Sequence, residues 1–505
     1  MKKSAYVLIL GLLAWAQPAV PADDITLDVK EKVLSNGMTI LVVENHIAPV
    51  FSTIVRFKVG AVDEHTRITG MSHFLEHMLF KGTKITGTTN YEAEVPLMER
   101  MDSLAALLEQ ERGKLRNPRA NGSEERAQEL RRQIADLQAE QAKYIVKDEL
   151  WETYLKNGGS RLNASTGSDG TQYYVSLPAN RLELWAFLES DRMANLQFRE
   201  FYSERDVIRA ERRQNTETPP RGLMYEALVA TAHWSSPYQW SSIGWGTDIE
   251  NFRIQDLRQY FKTYYHPSNA VACIVGDVNA DDVFALCEKY FGAIPAGPTP
   301  PPVFTDNTPQ RGERRVDVEA DAKPAAIVGW HMPQAGHPDV AALDVLSDIL
   351  SRGRTSRFYK NLVETKLAAQ VRASISFSRY PNLFTLNVTP MGNRSAEEVL
   401  ENAFAEMDRI KTEPVAQWEI DKVRNQTDAD FVRSLNSNGG IAGSLANYEA
   451  LFGDWRYLIG YREEIKRVTP EDIMRVAKTY LTKNNRTIVT LVAPASDASA
   501  AGAGN

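Results

Sequence analysis

The sequence predicts an α+β protein with two duplicated domains, each a mostly antiparallel sheet flanked by helices. Segments on either side of a proline-rich stretch match at one constant offset, without a gap. Identities in register over a whole helix-turn-strand unit indicate a duplication. Strand-like runs follow in both copies, at 270–275 and 487–492. The matched pairs are Ile243-Gly244-Trp245 with Ile459-Gly460-Tyr461, Ile249 with Ile465, Asp256-Leu257 with Asp472-Ile473, Lys262-Thr263-Tyr264 with Lys478-Thr479-Tyr480, and Asn269 with Asn485.

The overall composition is ordinary for a soluble chain large enough to form two or more domains. The chain has 505 residues, of which 43% are apolar and 24% are charged, and these fractions are typical of globular proteins. The formal net charge is -7. Because nucleic-acid binding usually requires a basic face, we expect no nucleic-acid partner.

The first 22 residues have the order of a secretory signal peptide. Lys2 and Lys3 precede an apolar run at 5–16, and Val20-Pro21-Ala22 offers a small-residue cleavage site. An uncleaved membrane anchor is the alternative, but the run is short for a bilayer span. No later stretch is apolar enough for a stable membrane span. We therefore expect a secreted protein, which in a double-membraned bacterium would be periplasmic.

Composition also sets the domain boundaries that we predict for the mature chain. The N-terminal domain covers 23–294 and opens with strand-like runs at 38–43 and 50–59. A stiff, extended linker at 295–309 separates it from a second domain at 310–493, and the Ala/Ser/Gly-rich tail at 494–505 is predicted to be disordered. The linker prediction depends on its prolines, which are Pro295, Pro298, Pro300, Pro301, Pro302 and Pro309.

A charged helical hairpin is predicted as an insertion at about 92–147. A breaker cluster at 117–122 separates two segments with apolar residues at helical spacing. We leave open whether the pair is simply a solvated antiparallel hairpin or an arm that binds a partner. The apolar positions are Leu97, Met101, Leu104 and Leu108, and then Leu130, Ile134, Leu137 and Tyr144.

The two cysteines, Cys273 and Cys287, lack the spacing of metal ligands. Burial as two small apolar side chains is the favoured interpretation. A disulfide stays open, because an oxidising compartment would permit one and the sequence does not define its geometry.

The segment His73-Phe74-Leu75-Glu76-His77 carries the chemistry. Ser72 is the predicted N-cap of a helix, on which positions four apart share one face, so both imidazoles converge. Neutral imidazole is a good zinc ligand, and a catalytic zinc has three protein ligands and one open position. Glu76 can reach a water at that position and act as general base and then general acid.

This inverted His-x-x-Glu-His segment is a zinc-peptidase signature, and the chain resembles the M16 (pitrilysin or insulinase-like) family. The similarity is to its bacterial two-domain branch, which is related to the mitochondrial processing peptidase, and it covers about residues 33–492. Gly60 to Glu64 before the helix and Lys81-Gly82-Thr83 after it support the resemblance. It implies the metallohydrolase fold shared by LuxS and the processing peptidase.

The resemblance also implies the third metal ligand. The family has a downstream helix of the form Glu-Arg-x-x-Val/Ile-x-x-Glu, which matches residues 204–211 here. By that match Glu211 is a ligand, and Glu204 orients the site from outside the ligand set. A plain surface residue is the alternative for Glu204. The insertion at 92–147 accounts for the unusually long interval between His77 and Glu211.

Four residues are similar to the substrate-side edge strand of the family: Asn163, Ala164, Ser165 and Thr166. The resemblance implies that a peptide adds there as an extra strand through main-chain hydrogen bonds, which predicts loose specificity for extended peptides. An edge strand with only a structural role is the alternative.

The second half departs from the family pattern of single-chain relatives. It lacks a His-x-x-Glu-His segment, so we expect no zinc there. Val363 and Gln370 stand where an Arg and a Tyr would contact the substrate. We therefore expect a heterodimer with a sibling that lacks the zinc motif and supplies the Arg and Tyr. A homodimer is the alternative.

Together these observations predict a zinc endopeptidase that binds one Zn²⁺ per chain and hydrolyses extended or unfolded peptides. A non-catalytic structural or chaperone-like subunit is the alternative from another class. The intact set of His73, Glu76, His77 and Glu211 argues against it. A third interpretation is a peptidase dedicated to maturing one exported peptide.

Overall fold

A computed structural model describes residues 27–304 and 308–494. The predicted signal peptide at 1–22 and nearly all of the predicted tail at 494–505 lie outside the described residues. No helix in the described ranges is both long and apolar enough to cross a membrane.

The first half contains a six-stranded sheet. Its strand order is β1-β2-β6-β3-β5-β4, and every neighbouring pair is antiparallel except β2 and β6. In chain order the elements are β1 (Lys30–Val33), β2 (Thr39–Glu44), β3 (Val50–Phe57), α1 (Met71–Met78), α2 (Tyr91–Arg116), α3 (Glu124–Gln141), α4 (Glu149–Lys156), β4 (Ser160–Thr166), β5 (Thr171–Pro178), α5 (Leu182–Asn195), α6 (Phe201–Arg212), α7 (Pro220–Ala232), α8 (Gly246–Glu250), α9 (Ile254–Tyr264), β6 (Ala270–Gly276) and α10 (Ala280–Tyr290).

The second half contains a five-stranded sheet of order β7-β11-β8-β10-β9, in which only β7 and β11 are parallel. The predicted α+β class with mostly antiparallel sheets is therefore confirmed. The elements are β7 (Arg314–Glu319), β8 (Ala325–Met332), α11 (Val340–Ser351), β9 (Ala368–Ile375), β10 (Asn382–Pro390), α12 (Ala396–Thr412), α13 (Gln417–Ser434), α14 (Asn438–Phe452), α15 (Tyr457–Arg467), α16 (Pro470–Tyr480) and β11 (Arg486–Val492).

The duplication is visible in the element bounds themselves. Helix α9 begins at Ile254 and α16 at Pro470, an offset of 216 residues. Strands β6 and β11 begin at Ala270 and Arg486, with the same offset. Both pairs also have equal lengths, so the repeat in the sequence corresponds to a repeat in the structure.

Each half covers one face of the other half's sheet with a helix. Ile441 and Leu445 of α14 are buried against Ile54 and Val271 of the first sheet. In return, α7 buries Leu228 and its neighbours against the second sheet. Fully burying one such side chain stabilises the fold by about 1.5–3 kcal/mol. This exchange packs the two halves against each other.

The insertion is the predicted helical hairpin, formed by α2 and α3. Asn90 and Ser123 cap the two helices by accepting main-chain N–H bonds, as short polar side chains do at helix starts. Met101, Leu130 and Ile134 are buried. A fully buried ion pair at 2.8 Å between Glu94 and Arg199 attaches α2 to the body of the domain.

The two cysteines are buried and unbonded. Cys273 lies on the face of the first sheet that α14 covers, whereas Cys287 belongs to the core on the other side. Because the sheet separates the two thiols, no disulfide joins them.

Candidate metal centre and active site

The helix that carries the motif, α1, begins at Met71 and has Gly70 as its N-cap, so the prediction of Ser72 as its N-cap is wrong. The buried carboxylate of Glu64 accepts the N–H groups of Gly70 (2.6 Å) and Ser72 (2.7 Å) and replaces a serine cap. Gly70 has a φ of 91°, and a Cβ there would lie 2.3 Å from the carbonyl oxygen of Ile243. Only glycine fits at this position.

Helices α1 and α6 bring the three predicted ligands together. The Nε2 atom of His73 lies 3.8 Å from Oε1 of Glu211, and Nε2 of His77 lies 3.6 Å from Oε2 of the same carboxylate. One ligand atom from each of the three residues lies within 4.8 Å of the other two, and no other such group of His, Cys, Asp or Glu occurs in the described ranges. Tetrahedral zinc ligands lie roughly 3.3–3.6 Å apart, so the spacing suits one ion.

Glu204 binds the ring nitrogen of His77 that faces away from the Glu211 carboxylate. The Nδ1–H group of His77 donates to Oε1 of Glu204 (2.8 Å), and Nζ of Lys81 lies 2.6 Å from Oε2. Burial alone would raise the pKa of Glu204, but the hydrogen bonds from His77 and Lys81 outweigh it and lower that pKa. The carboxylate therefore stays ionised and fixes the His77 tautomer, which leaves Nε2 as an acceptor.

His73 is suited to bind a metal because its imidazole stays neutral. Burial, assisted by the neighbouring charge of His77, lowers its pKa to about 3. Its Nδ1 atom is buried and has no hydrogen-bond partner. Zinc is commonly bound by the nitrogen atoms of neutral imidazoles together with a carboxylate oxygen. His73, His77 and Glu211 therefore fit this ion.

Glu76 lies beside this cluster on the same helix and is held by the edge strand. Oε2 of Glu76 accepts a hydrogen bond from the Thr166 hydroxyl (2.5 Å). The pKa of Glu76 is raised overall, mainly by burial and also by the charge of Glu211, although the Thr166 hydrogen bond acts in the opposite direction. A carboxyl with a raised pKa can exchange protons more readily near neutral pH.

The four predicted substrate-strand residues lie on β4, at the edge of the first sheet. Only β5 pairs with β4 among the described strands, so one side of β4 is unpaired. The side chain of Ala164 is buried, whereas those of Asn163 and Ser165 are exposed and Thr166 faces Glu76. The strand therefore ends directly at the metal centre.

The second half has different side chains at the related position. Helix α11 carries Asp344 and Asp348 four residues apart, but Nη1 of Arg352 donates to Asp348 (2.8 Å) and Tyr461 donates to Asp344 (2.8 Å). Both carboxylates thus already have protein partners.

The contacts of Glu64, Lys81 and Arg379 were not predicted from the sequence. Arg379 belongs to the turn between β9 and β10 of the second half, yet its guanidinium lies 2.7 Å from the buried carboxylate of Asp63. Its main-chain N–H donates to Asp169 (3.3 Å) in the turn after Thr166. Helical spacing from His77 could have indicated Lys81, but no local pattern could have indicated Arg379.

Comparisons with known proteins agree with this architecture. A family model described as "Insulinase (Peptidase family M16)" matches residues 39–101, which include His73, Glu76 and His77. A second model, "Peptidase M16 inactive domain", matches residues 251–427. Glu204 and Glu211 lie between the two matched stretches.

Relatives match over nearly the whole chain. The zinc protease PqqE of Helicobacter pylori is 28% identical over 500 residues, which are 97% of each chain. The mitochondrial-processing peptidase subunit beta of Lentinula edodes is 21% identical over 464 residues, covering 89% of this chain and 86% of that one. A crystal structure of a protease from Helicobacter pylori superposes with a TM-score of 0.77 at 26% identity, covering 92% of this chain and 100% of the other. The chain thus matches both M16 family models and is similar to zinc proteases of that family over nearly its whole length.

Proposed function

We propose that the protein is a zinc-dependent endopeptidase in which Glu76 is the general base and then the general acid. The observation that carries the proposal is the meeting of His73, His77 and Glu211 within 4.8 Å, with Glu76 on the same helix. Zinc in such a site acts as a Lewis acid that acidifies water and polarises a carbonyl group. One ion per chain is expected, because the described residues contain one such group.

The remaining chemistry belongs to the residues of this chain. Glu76 takes a proton from the attacking water and delivers it to the amine that leaves when the peptide bond breaks. Thr166 holds the Glu76 carboxylate in place through their hydrogen bond. Glu204 keeps His77 oriented, so the ligand geometry does not need to rearrange during the reaction.

The free edge of β4 supports an extended peptide as the substrate. A peptide that adds to this edge is held by main-chain hydrogen bonds, which do not depend on side-chain identity. Because a folded protein rarely offers a free extended segment, unfolded peptides are the proposed substrates. Thr166 at the end of β4 then places the peptide beside Glu76.

We further propose that the chain is the catalytic subunit of a two-chain peptidase in the periplasm or another exported location. The support is the name of the related mitochondrial-processing peptidase subunit beta and the signal-like sequence at 1–22. Val363 and Gln370 offer no Arg or Tyr, so a sibling would supply them, and a homodimer is the alternative. Reconstitution tests this: a sibling that carries the Arg and Tyr should raise the cleavage rate, and full activity of the isolated monomer would contradict the idea.

A non-catalytic structural or chaperone-like role has less support. The "inactive domain" model matches residues 251–427 and so excludes the motif at 73–77. An inactive subunit would be expected to have lost some of the motif residues. All four are present here, His73, Glu76, His77 and Glu211, and the three proposed ligands lie together.

The test compares wild type with Glu76→Gln. Metal analysis should give about one zinc per chain in both, whereas cleavage of an unfolded casein-like substrate should be abolished in Glu76→Gln. Glu364→Gln, at an exposed position of the second half, is the matched control and should cleave normally. Equal cleavage by wild type and Glu76→Gln would refute the assignment, as would wild-type protein that binds zinc and cleaves nothing, alone or with its sibling.

A further inference from the structure

Three polar side chains form a row across the first sheet that ends at its free edge. Arg56 of β3 pairs with Gln172 of β5, and Gln172 pairs with Ser165 of β4. Directly paired residues of antiparallel strands project to the same face. This face is the one opposite the zinc helix, because the neighbouring Thr166 projects toward Glu76 and successive side chains alternate.

The row is joined by hydrogen bonds with a fixed direction. Nη1 of Arg56 donates to Oε1 of Gln172 (3.1 Å), and Nε2 of Gln172 donates to Oγ of Ser165 (3.1 Å). A guanidinium has no acceptor, so Arg56 must be the donor and sets the orientation of the Gln172 amide. The Ser165 hydroxyl accepts from Gln172 and retains its own proton for an acceptor outside the sheet.

The guanidinium of Arg56 forms no ion pair with a carboxylate of the described residues, and Asp169 attracts it only from a longer distance. No carboxylate of the described residues lies within 4 Å of its guanidinium, and its buried Nε atom has no hydrogen-bond partner. The neighbouring Asp169 is engaged elsewhere, since it accepts from the Tyr238 hydroxyl (2.6 Å) and from the main-chain N–H of Arg379 (3.3 Å). Gly170 makes room for the guanidinium, because a Cβ there would lie 2.7 Å from Nη2.

A cavity of about 290 Å³ opens beside this row, between the two halves of the protein. Arg56, Gln172 and Ser165 line one side of the cavity together with Asp169, whose carboxylate already accepts the two hydrogen bonds just described, and Phe377 and Asn447 of the second half line the other. Since a water molecule takes about 30 Å³ of liquid, the cavity has room for one large side chain.

We propose that this row is a specificity subsite that selects a substrate side chain with a hydrogen-bond acceptor, above all the carboxylate of Glu or Asp. The proposal rests on the proposed function, in which a peptide adds to β4 as the next strand. The peptide residue opposite Ser165 becomes the fourth member of the row and projects toward the cavity. There it meets the Ser165 hydroxyl and faces the positive charge of Arg56, which lies two strands further into the sheet.

The subsite lies close to the bond that is cleaved. Ser165 is adjacent in sequence to Thr166, which contacts Glu76, and neighbouring strand residues are about 3.3 Å apart. The selected side chain therefore belongs to a residue within about two positions of the scissile bond.

The test uses peptides that are identical except at one position, which carries Glu, Gln, Leu or Lys, and the varied position is moved along both sides of the cleaved bond. At one position kcat/KM should be on the order of tenfold higher for Glu than for Lys, since hydrogen bonds to ionised groups are the strong ones. Ser165→Ala and Gln172→Leu should each bring this ratio close to one. Arg56→Gln should mainly remove the preference for Glu over Gln.

The matched control is Ser374→Ala, which removes a serine hydroxyl from β9, the edge strand of the second sheet, where it is bonded to Thr385 (2.9 Å). This variant should keep the wild-type ratio. Circular dichroism and thermal melting check that each variant is folded. If Arg56→Gln fails to fold, the exposed Ser165→Ala variant still decides the result.

Binding of the same peptides to Glu76→Gln, measured by fluorescence anisotropy, separates this inference from the proposed function. Acid-selective binding that depends on Ser165, without cleavage by wild type either alone or with its sibling, would support the subsite and overturn the peptidase assignment. Cleavage with no preferred position, or a preference unchanged in Ser165→Ala and Gln172→Leu, would overturn the subsite and leave the peptidase assignment intact.

Discussion

Arg379 of the second half forms a 2.7 Å ion pair with Asp63 of the first half. The Asp63 side chain is only 4% exposed, and it also accepts the N–H of Gly60. The next residue, Glu64, caps the zinc helix. A charge from the second half thus contacts the segment that caps the helix of His73 and His77, which gives this half a structural role although it carries none of the proposed metal ligands.

Replacing Arg379 by Gln should destabilise the protein by about 2–4 kcal/mol, because it leaves the buried Asp63 carboxylate without its counter-charge. Urea unfolding measures the change. Arg379→Gln combined with Asp63→Asn should recover part of the loss, since the unpaired charge is then removed. Arg456→Gln breaks exposed pairs with Asp454 and Glu31 and should change the stability far less, because solvent screens these charges. Equal effects of the two single Arg variants would contradict the role of the buried pair.

Glu204→Gln should weaken zinc binding by roughly 10- to 100-fold, which is the usual effect of removing a carboxylate that orients a ligating histidine. Competition with a fluorescent chelator measures the affinity. Glu200→Gln is the matched control, because Glu200 lies 3.6 Å from Lys81 but does not contact His77. If zinc affinity is unchanged in Glu204→Gln, the buried Glu204 carboxylate does not support metal binding through His77.

Thr166→Val keeps the shape of the side chain but removes the hydrogen bond to Glu76. We expect kcat to fall roughly tenfold, since a hydrogen bond to a charged group contributes about 1.5–3 kcal/mol, while the zinc content stays at that of wild type. Steady-state kinetics and metal analysis on the same preparation check both results. Thr365→Val, which removes an exposed local hydrogen bond, should have wild-type kcat. A loss of zinc in Thr166→Val would show that the residue supports the metal centre as a whole.

Protonation of His331 should contribute a loss of stability as the pH decreases from about 6.5 to about 4. Burial, assisted by the charge of Arg314, lowers the pKa of His331 from 6.5 to about 4. In this window the unfolded chain binds a proton that the folded protein does not, so acidification favours unfolding, by about 2–3 kcal/mol in total.

Urea unfolding at several pH values measures how the free energy of unfolding changes with pH. His331→Gln should flatten this dependence between pH 6.5 and 4, whereas His65→Gln, at an exposed loop position, should leave it unchanged. The ring of His331 lies 5.5 Å from that of His233, so the contact between the two halves is where acid should act. A slope that is the same in wild type and His331→Gln would contradict this.

Much of the architecture was predictable, because it depends on local periodicity. The repeat across the linker, the hairpin of α2 and α3, and the shared helical face of His73 and His77 all follow from spacing along the chain. The N-cap of α1 was predicted wrongly, since the acceptor for its first N–H groups comes from Glu64, a residue outside the local window in which a serine cap is sought.

Spacing along the chain was enough to predict the fold class, the duplication and the two histidines of one helical turn, because neighbouring residues on a helix or strand have fixed relative positions. Resemblance to a family added Glu211 and Glu204. Three sets of contacts emerged only from the folded protein: the Thr166 bond to Glu76, the ion pair of Arg379 with Asp63, and the row of Arg56, Gln172 and Ser165 at a free edge. These contacts join residues that are distant along the chain, and they depend on strand register and on the packing of one half against the other, which local propensity does not specify.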